Sequence, residues 1–277
     1  MSGVVTRAQE AASQHRNKRV RLASSTCRWN NTYARAVDIL EIQLSKRDFI
    51  AVIDHIATIL RHTEDINVLI LRVDRLPRMW QARLLGPIYL PHLWSFTISS
   101  SSKQYLQPFL DRHRKTITHL RYDDCNRHSP MELVTQLPPL SLASIVGPID
   151  SVAEILPHCV QHHLAIVLSG ETRASHLQKH DGVFQPHLVT DLTLTLRPQD
   201  YDVLQKLSTY FHNLDRLKVI AKDHCSVHVW SNVKTWVRIL QSLSGASRLV
   251  LETSQAISVH RLPVLGAGTT GPESGAM

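Results

Sequence analysis

No run of about 18 apolar residues occurs in this chain, which argues against a membrane-spanning helix. The start, Met1-Ser2-Gly3-Val4-Val5-Thr6-Arg7, opens no long apolar core, so a secretory signal is not expected. Paired cysteines are missing too. Cys27, Cys125, Cys159 and Cys225 lie far apart, and none belongs to a CxxC pair. Disulfide frameworks are built from dense cysteines in short secreted chains. Reduced thiols in an intracellular protein, cytoplasmic or nuclear, are therefore expected.

Catalytic motifs are equally scarce. There is no GxSxG elbow, no GxxxxGK(S/T) loop and no HExxH pair. Gly266-Ala267-Gly268-Thr269-Thr270-Gly271 spells GxGxxG, but only six residues follow it, beginning with Pro272. That leaves no room for the helix whose N-terminus would hold a pyrophosphate. Among seventeen histidines, three pairs stand four apart: His158/His162, His176/His180 and His224/His228. Such a pair shares a helix face and can chelate zinc; the simpler reading is surface histidines in loops. Asp123-Asp124 reads as a turn rather than a general acid–base pair. The expectation is no cofactor, no metal and no enzymatic activity, with an enzyme on the same scaffold as the minority alternative.

Net charge is nearly absent from the body of the chain. The formal net charge is +8. Residues 1–36 carry Arg7, Arg16, Lys18, Arg19, Arg21, Arg28 and Arg35 against Glu10, which is +6, and the remaining residues share +2. The basicity thus belongs to an arm that is rich in Arg, Ser, Gln and Asn and reads as disordered. Its cluster His15-Arg16-Asn17-Lys18-Arg19-Val20-Arg21 suits a nuclear-import signal, a weak phosphate-binding arm or a solvated charge run. Nucleic acid is a candidate partner only through residues 1–36, and a membrane is not one.

What the chain does have is an internal period. An apolar residue, two spacers, an apolar residue, one spacer and an apolar residue form a frame. It recurs as Val37-Leu40-Ile42, Ile66-Leu69-Leu71, Leu93-Phe96-Ile98, Ile117-Leu120-Tyr122, Leu140-Ala143-Ile145, His163-Ile166-Leu168, Val189-Leu192-Leu194, Leu214-Leu217-Val219 and Ala246-Leu249-Leu251. The central positions are 29, 27, 24, 23, 23, 26, 25 and 32 residues apart, the interval of a leucine-rich type of repeat. A strand sends alternate side chains to opposite faces. The last two anchors of each unit therefore point inward and their neighbours outward. The outward set is mostly polar where the anchors are apolar. Ordinary alternating strands of another α/β domain are the competing reading.

Helices are expected in several returns. Lys46–Arg61 carries Phe49, Val52, Ile53, Ile56, Ile59 and Leu60 at helical spacing. Shorter helices are predicted around Met79–Leu85, Tyr105–Leu110, Met131–Leu137, 150–157, Asp200–His212 and Val229–Leu243. Residues 169–187 are polar, contain Gly170 and Gly182, and read as a surface loop with or without a short helix. The predicted fold class is α/β: a leucine-rich-repeat-like solenoid with a parallel sheet on the concave face and helices outside. It spans residues 37–257, after the arm 1–36 and before a flexible C-terminal tail, 258–277.

Solenoids present extended concave surfaces, so the strand face is the expected site of protein binding. Its candidate residues are Ile70, Arg72, Thr97, His119, Arg121, Asp123, Thr193, Arg216, Lys218 and Arg248. The outward positions Ile70, Leu142, Val146, Ala165 and Val167 are apolar. They mark a binding patch, strands buried on both faces, or a displaced register.

Leu90-Pro91-His92-Leu93-Trp94-Ser95-Phe96-Thr97-Ile98, Phe109-Leu110-Asp111-Arg112-His113 and Ile117-Thr118-His119-Leu120-Arg121-Tyr122-Asp123-Asp124-Cys125 are written in one style. So are Val37-Asp38-Ile39-Leu40-Glu41-Ile42-Gln43-Leu44 and Leu214-Asp215-Arg216-Leu217-Lys218-Val219. This style resembles the degenerate leucine-rich region of mushroom-type fungal F-box proteins, over roughly residues 37–252. The resemblance implies a curved α/β solenoid that recruits a protein for ubiquitination, its partner lying on the concave face. It also implies an F-box with a Leu-Pro-x-Glu-like opening before the repeats. Residues 1–36 are too short, too basic and too polar for one, so docking of the ubiquitin-ligase adaptor is unsupported. A truncated relative and a stand-alone repeat protein both fit.

Overall fold

The computed structural model describes residues 19–22, 37–44, 46–73, 78–99, 103–123, 139–161, 163–180, 182–184, 189–197, 200–211, 213–221 and 246–253, with single positions 234, 237, 238, 241 and 243. Ten short strands carry it: β1 (Arg19–Leu22), β2 (Ile39–Leu44), β3 (Val68–Val73), β4 (Ser95–Ile98), β5 (His119–Tyr122), β6 (Ser144–Gly147), β7 (Leu164–Glu171), β8 (Val189–Leu196), β9 (Arg216–Ala221) and β10 (Arg248–Thr253). They form one sheet in sequence order, and every neighbouring pair is parallel. The returns hold α1 (Lys46–His62), α2 (Arg78–Leu85), α3 (Lys103–Arg112), α4 (Ile149–Ile155), α5 (Ala174–Lys179) and α6 (Tyr201–Tyr210), with a 3₁₀ turn at Leu156–His158.

Parallel crossovers are almost always right-handed. When every step moves the same way along a sheet, that handedness puts each helix on the same face. Burial agrees. Leu40, Leu69, Phe96, Leu120, Ile145, Ile166, Leu192 and Leu217 stand side by side in one row. Ile42, Leu71, Ile98 and Tyr122 make a second. All are buried, in one core with Ile53, Ile56, Ile59 and Leu60 of α1, Leu106, Phe109 and Leu110 of α3, and Val203, Leu204 and Leu207 of α6. Each such side chain contributes about 1.5–3 kcal/mol on burial. The chain is thus α/β, a parallel sheet with its described helices over one face.

A backbone joint precedes the strands. The Asp38 carbonyl accepts from the N–H groups of both Asn67 and Val68, that of Asn67 from Trp94 and Ser95, that of Trp94 from Thr118 and His119, and that of Thr118 from Ala143 and Ser144. Each donor and acceptor sits one or two residues after a buried first anchor: Val37, Ile66, Leu93, Ile117 or Leu142. The apolar frame and the hydrogen-bonded joint therefore share one period.

The fifth unit departs from the expected frame by two residues. Ile145, not Ala143, pairs with Leu120 and Ile166, and Leu142 is fully buried as first anchor. Leu142 therefore leaves the apolar outer set. Gly147 takes the last anchor position because Tyr122 already crowds it: a Cβ there would stand 3.2 Å from the Tyr122 carbonyl oxygen. Leu140 forms an isolated parallel bridge with Cys159 instead.

Other differences are local. β1 falls within the segment expected to lack regular structure, its register setting Val20 and Leu22 across from Leu40 and Ile42. Within 169–187, read as a loop with or without a short helix, α5 supplies that helix, and β7 runs on to Glu171. The predicted helix Met131–Leu137, most of Val229–Leu243 and the tail 258–277 lie outside the described residues.

The junction of α2 and α3 is locked by polar contacts. Gly86 ends α2, where a Cβ would collide with the Ala82 carbonyl oxygen. The Arg112 guanidinium donates to the carbonyls of Gly86 and Ile88, just past the helix, and to that of Leu85 at 3.4 Å, a group that a helix end leaves open. His113 is buried. Its Nδ1 lies 2.8 Å from the Phe109 carbonyl and so carries the proton, while Nε2 accepts from the Leu90 N–H at 3.0 Å. Its ring lies 4.3 Å from that of Phe109 and 5.6 Å from that of Tyr89. Burial pushes its pKa below 6.5; the Phe109 hydrogen bond opposes this and the Arg112 charge assists.

A depressed folded pKa contributes stability that is full above the unfolded value and is lost as pH falls towards the folded one. Urea titrations should show stability declining as pH drops below about 6.5. His113→Leu should show a smaller decline. It should also be about 1–3 kcal/mol less stable near neutral pH, because the buried Leu90 N–H loses its acceptor. An identical pH slope in the variant would contradict the assignment.

Candidate functional site

The helix-free face of the sheet collects the ten candidate residues in three rows. His119, Arg216 and Arg248 belong to the first row, which also carries Ser95, Ser144, Ala165 and Asp191. Ile70, Thr97, Arg121, Thr193 and Lys218 belong to the second, with Val146 and Val167 between Arg121 and Thr193. Arg72 lies in the third, and Asp123 directly follows β5. Thr97 is buried, so it serves as a spacer and offers a partner little surface.

The β2–β5 end is closed by an ion network. Arg72 contacts Glu41 at 3.1 Å and Asp123 at 3.5 Å, and Arg121 contacts Asp123 at 2.6 Å. To reach Asp123, Arg72 passes over β4, where Thr97 and Ser99 are small and buried. Glu41 is 0% exposed while Arg121 is 49% exposed. Both oxygens of Asp123 thus face arginines, one from β3 and one from β5. Below it, Trp94 is 43% exposed and meets His119 edge-on at 4.9 Å.

The β8–β10 end is more loosely paired. Lys218 meets Glu252 at 2.6 Å, while Arg216 lies 3.6 Å from Asp191 and 3.8 Å from Asp215. Between the two charged ends runs an uncharged lane on β6 and β7: Ser144, Val146, Ala165 and Val167, all partly exposed. Ile70 is also partly exposed but stands apart, beyond Thr97 and Arg121.

Other candidates from the sequence do not join this face. Among the described residues no group of three or more His, Cys, Asp or Glu side chains is placed to hold a metal. His180 Nε2 meets Asp150, which also accepts from Lys179 at 2.9 Å. Partial burial pushes the Asp150 carboxyl up, but these two donors outweigh it and hold its pKa below the usual value. The Cys159 thiol is buried, and desolvation raises its pKa to about 12, so it is not a poised nucleophile. His162, His224, His228, Cys27, Cys125, Cys225 and Asp124 lie outside the described residues.

Comparison with protein-family models and with curated proteins finds no match. The reading of the face therefore stands on its geometry. Alternation in the sequence places Glu41, Asp191 and Glu252 on this face, but it does not reveal that they pair with its cations. The frame held the signal for Glu41, which follows its central anchor by one residue as Arg72 follows its own by three. The Arg72–Asp123 contact had no such signal, because it skips a strand.

Arg72→Ala should cost about 2–4 kcal/mol of stability, since it takes a cation from a carboxylate that is fully buried. Arg121→Ala, at a half-exposed pair, should cost no more than about 1 kcal/mol. Chemical denaturation of both variants measures the difference, and equal costs would refute the asymmetry.

Proposed function

We propose that the chain is a non-catalytic protein-interaction scaffold, a leucine-rich-repeat-like solenoid whose parallel sheet forms the concave recognition face. The observation that carries this reading is the open face of a ten-stranded sheet whose described helices all cover the other side. A parallel sheet normally has both faces covered. One left open, with an apolar lane between charged ends, is a surface built to meet something else.

The resemblance to the substrate-recruiting part of an F-box ubiquitin-ligase subunit gives the proposal its form. On that reading the face selects a protein, inside the cell, in cytoplasm or nucleus. No described helix is long and apolar enough to cross a membrane. Most cations of the face already meet carboxylates, which disfavours a phosphate backbone there, because its binding needs free cations. Any nucleic-acid role therefore rests with residues 1–36.

Affinity capture from lysate, read by mass spectrometry, tests the proposal when paired with Val146→Asp and Val167→Asp. Each puts a charge into the uncharged lane. Capture of the specific partner should weaken roughly tenfold or more, with the melting temperature of the free chain close to that of the wild type. Undiminished capture by both folded variants would exclude the face as the binding surface.

A further inference from the structure

We infer that the β9–β10 end of the outer face docks an acidic segment of the protein partner, with a carboxylate seated between Arg216 and Arg248. This rests on the outer face being the interaction surface. Arg216 and Arg248 are direct cross-strand partners, and both are exposed. Like charges facing each other across two strands repel, so the free protein holds an arrangement that an anion would relieve.

Their own carboxylates relieve it on the Arg216 side alone. Arg216, 60% exposed, lies 3.6 Å from Asp191 and 3.8 Å from Asp215, both beyond hydrogen-bond reach. Arg248 makes no ion pair among the described residues. The contrast with Arg72 and Arg121, each closed onto a carboxylate, is internal to the same face. An exposed guanidinium that no described carboxylate meets, as on Arg248, suits a carboxylate ligand, which accepts paired hydrogen bonds from it.

The next positions along the strands specify more. Val250 pairs with Lys218 in the following row, and Ile220 pairs with Glu252 in the row after that. Val250 and Ile220 are partly exposed. A segment with an acidic residue over the arginine pair and apolar residues beyond it matches both chemistries. Asp191, Asp215 and Glu252 border the patch. They would repel a continuous phosphate backbone but leave room for one or two carboxylates.

The test selects short random peptides, displayed on phage, against the full chain in wild-type form and as Arg248→Glu. The wild-type pool should be enriched in Asp and Glu. A selected synthetic peptide should bind Arg248→Glu roughly tenfold more weakly, and replacing its acidic residue by glutamine should produce a similar loss. The two losses should not add, because they remove one contact. The free variant should melt no lower than the wild type, because the substitution turns a repelling pair into an attracting one.

Peptides without acidic enrichment that bind wild type but not Val146→Asp overturn the inference and leave the outer-face reading standing. Peptides indifferent to both substitutions, or failure to select any, overturn both. A single-stranded oligonucleotide that binds the same patch more tightly than the peptides overturns the choice of a protein segment.

Discussion

The parallel register between successive strands is the constraint on which everything else depends. Each strand is short, so no pair is stable alone. Its apolar residues must fall in the same two rows as its neighbours', or one face loses its core and the other gains an apolar stripe. The joint that fixes the register is the carbonyl after each first anchor, which takes two N–H groups from the next unit. A buried anchor holds that carbonyl in place, and the carbonyl holds the next strand. Core packing and backbone pairing therefore specify the same offset at every step.

Sequential order turns that local rule into a surface. Handedness sends the returns to one side, so the opposite face is left to side chains alone. It must stay wettable without inviting every neighbour. The chain manages this by pairing charges across strands, tightly around Arg72 and Asp123 and loosely around Arg216. Between them, Val146, Ala165 and Val167 are flanked by polar positions on both sides.

The core was legible in the sequence at most apolar anchors, though Leu251, expected as the last anchor of the ninth unit, is 47% exposed. Leu40, Leu69, Phe96, Leu120, Ile166, Leu192 and Leu217 all stand in the row their spacing implies. The fifth unit was not legible, because Gly147 is an anchor without a side chain and its space is filled from Tyr122 on the preceding strand. An apolar template then slid to Leu140, which is buried for another reason, beside Cys159. β1 was obscured by arginines on either side of Val20. The ten candidate residues were legible as a face, since alternation alone decides which side they take. Their energetics were not, because pairing across strands depends on what lies between.

Ser99 shows how far that dependence goes. It directly follows β4, the strand between those of Arg72 and Asp123, and is buried. A long side chain there would stand between the two charges and leave the Glu41–Arg72 pair without its outer carboxylate. Desolvated ion pairs hold only when their remaining hydrogen-bonding capacity is met. The small residue on β4 is therefore part of the electrostatics of β3 and β5. The same logic runs in reverse at β9 and β10, where Arg248 stands across from Arg216 and, among the described residues, meets no carboxylate. The position of a residue in the rows, more than its charge, decides whether it is held in an ion pair of the sheet or left exposed to solvent.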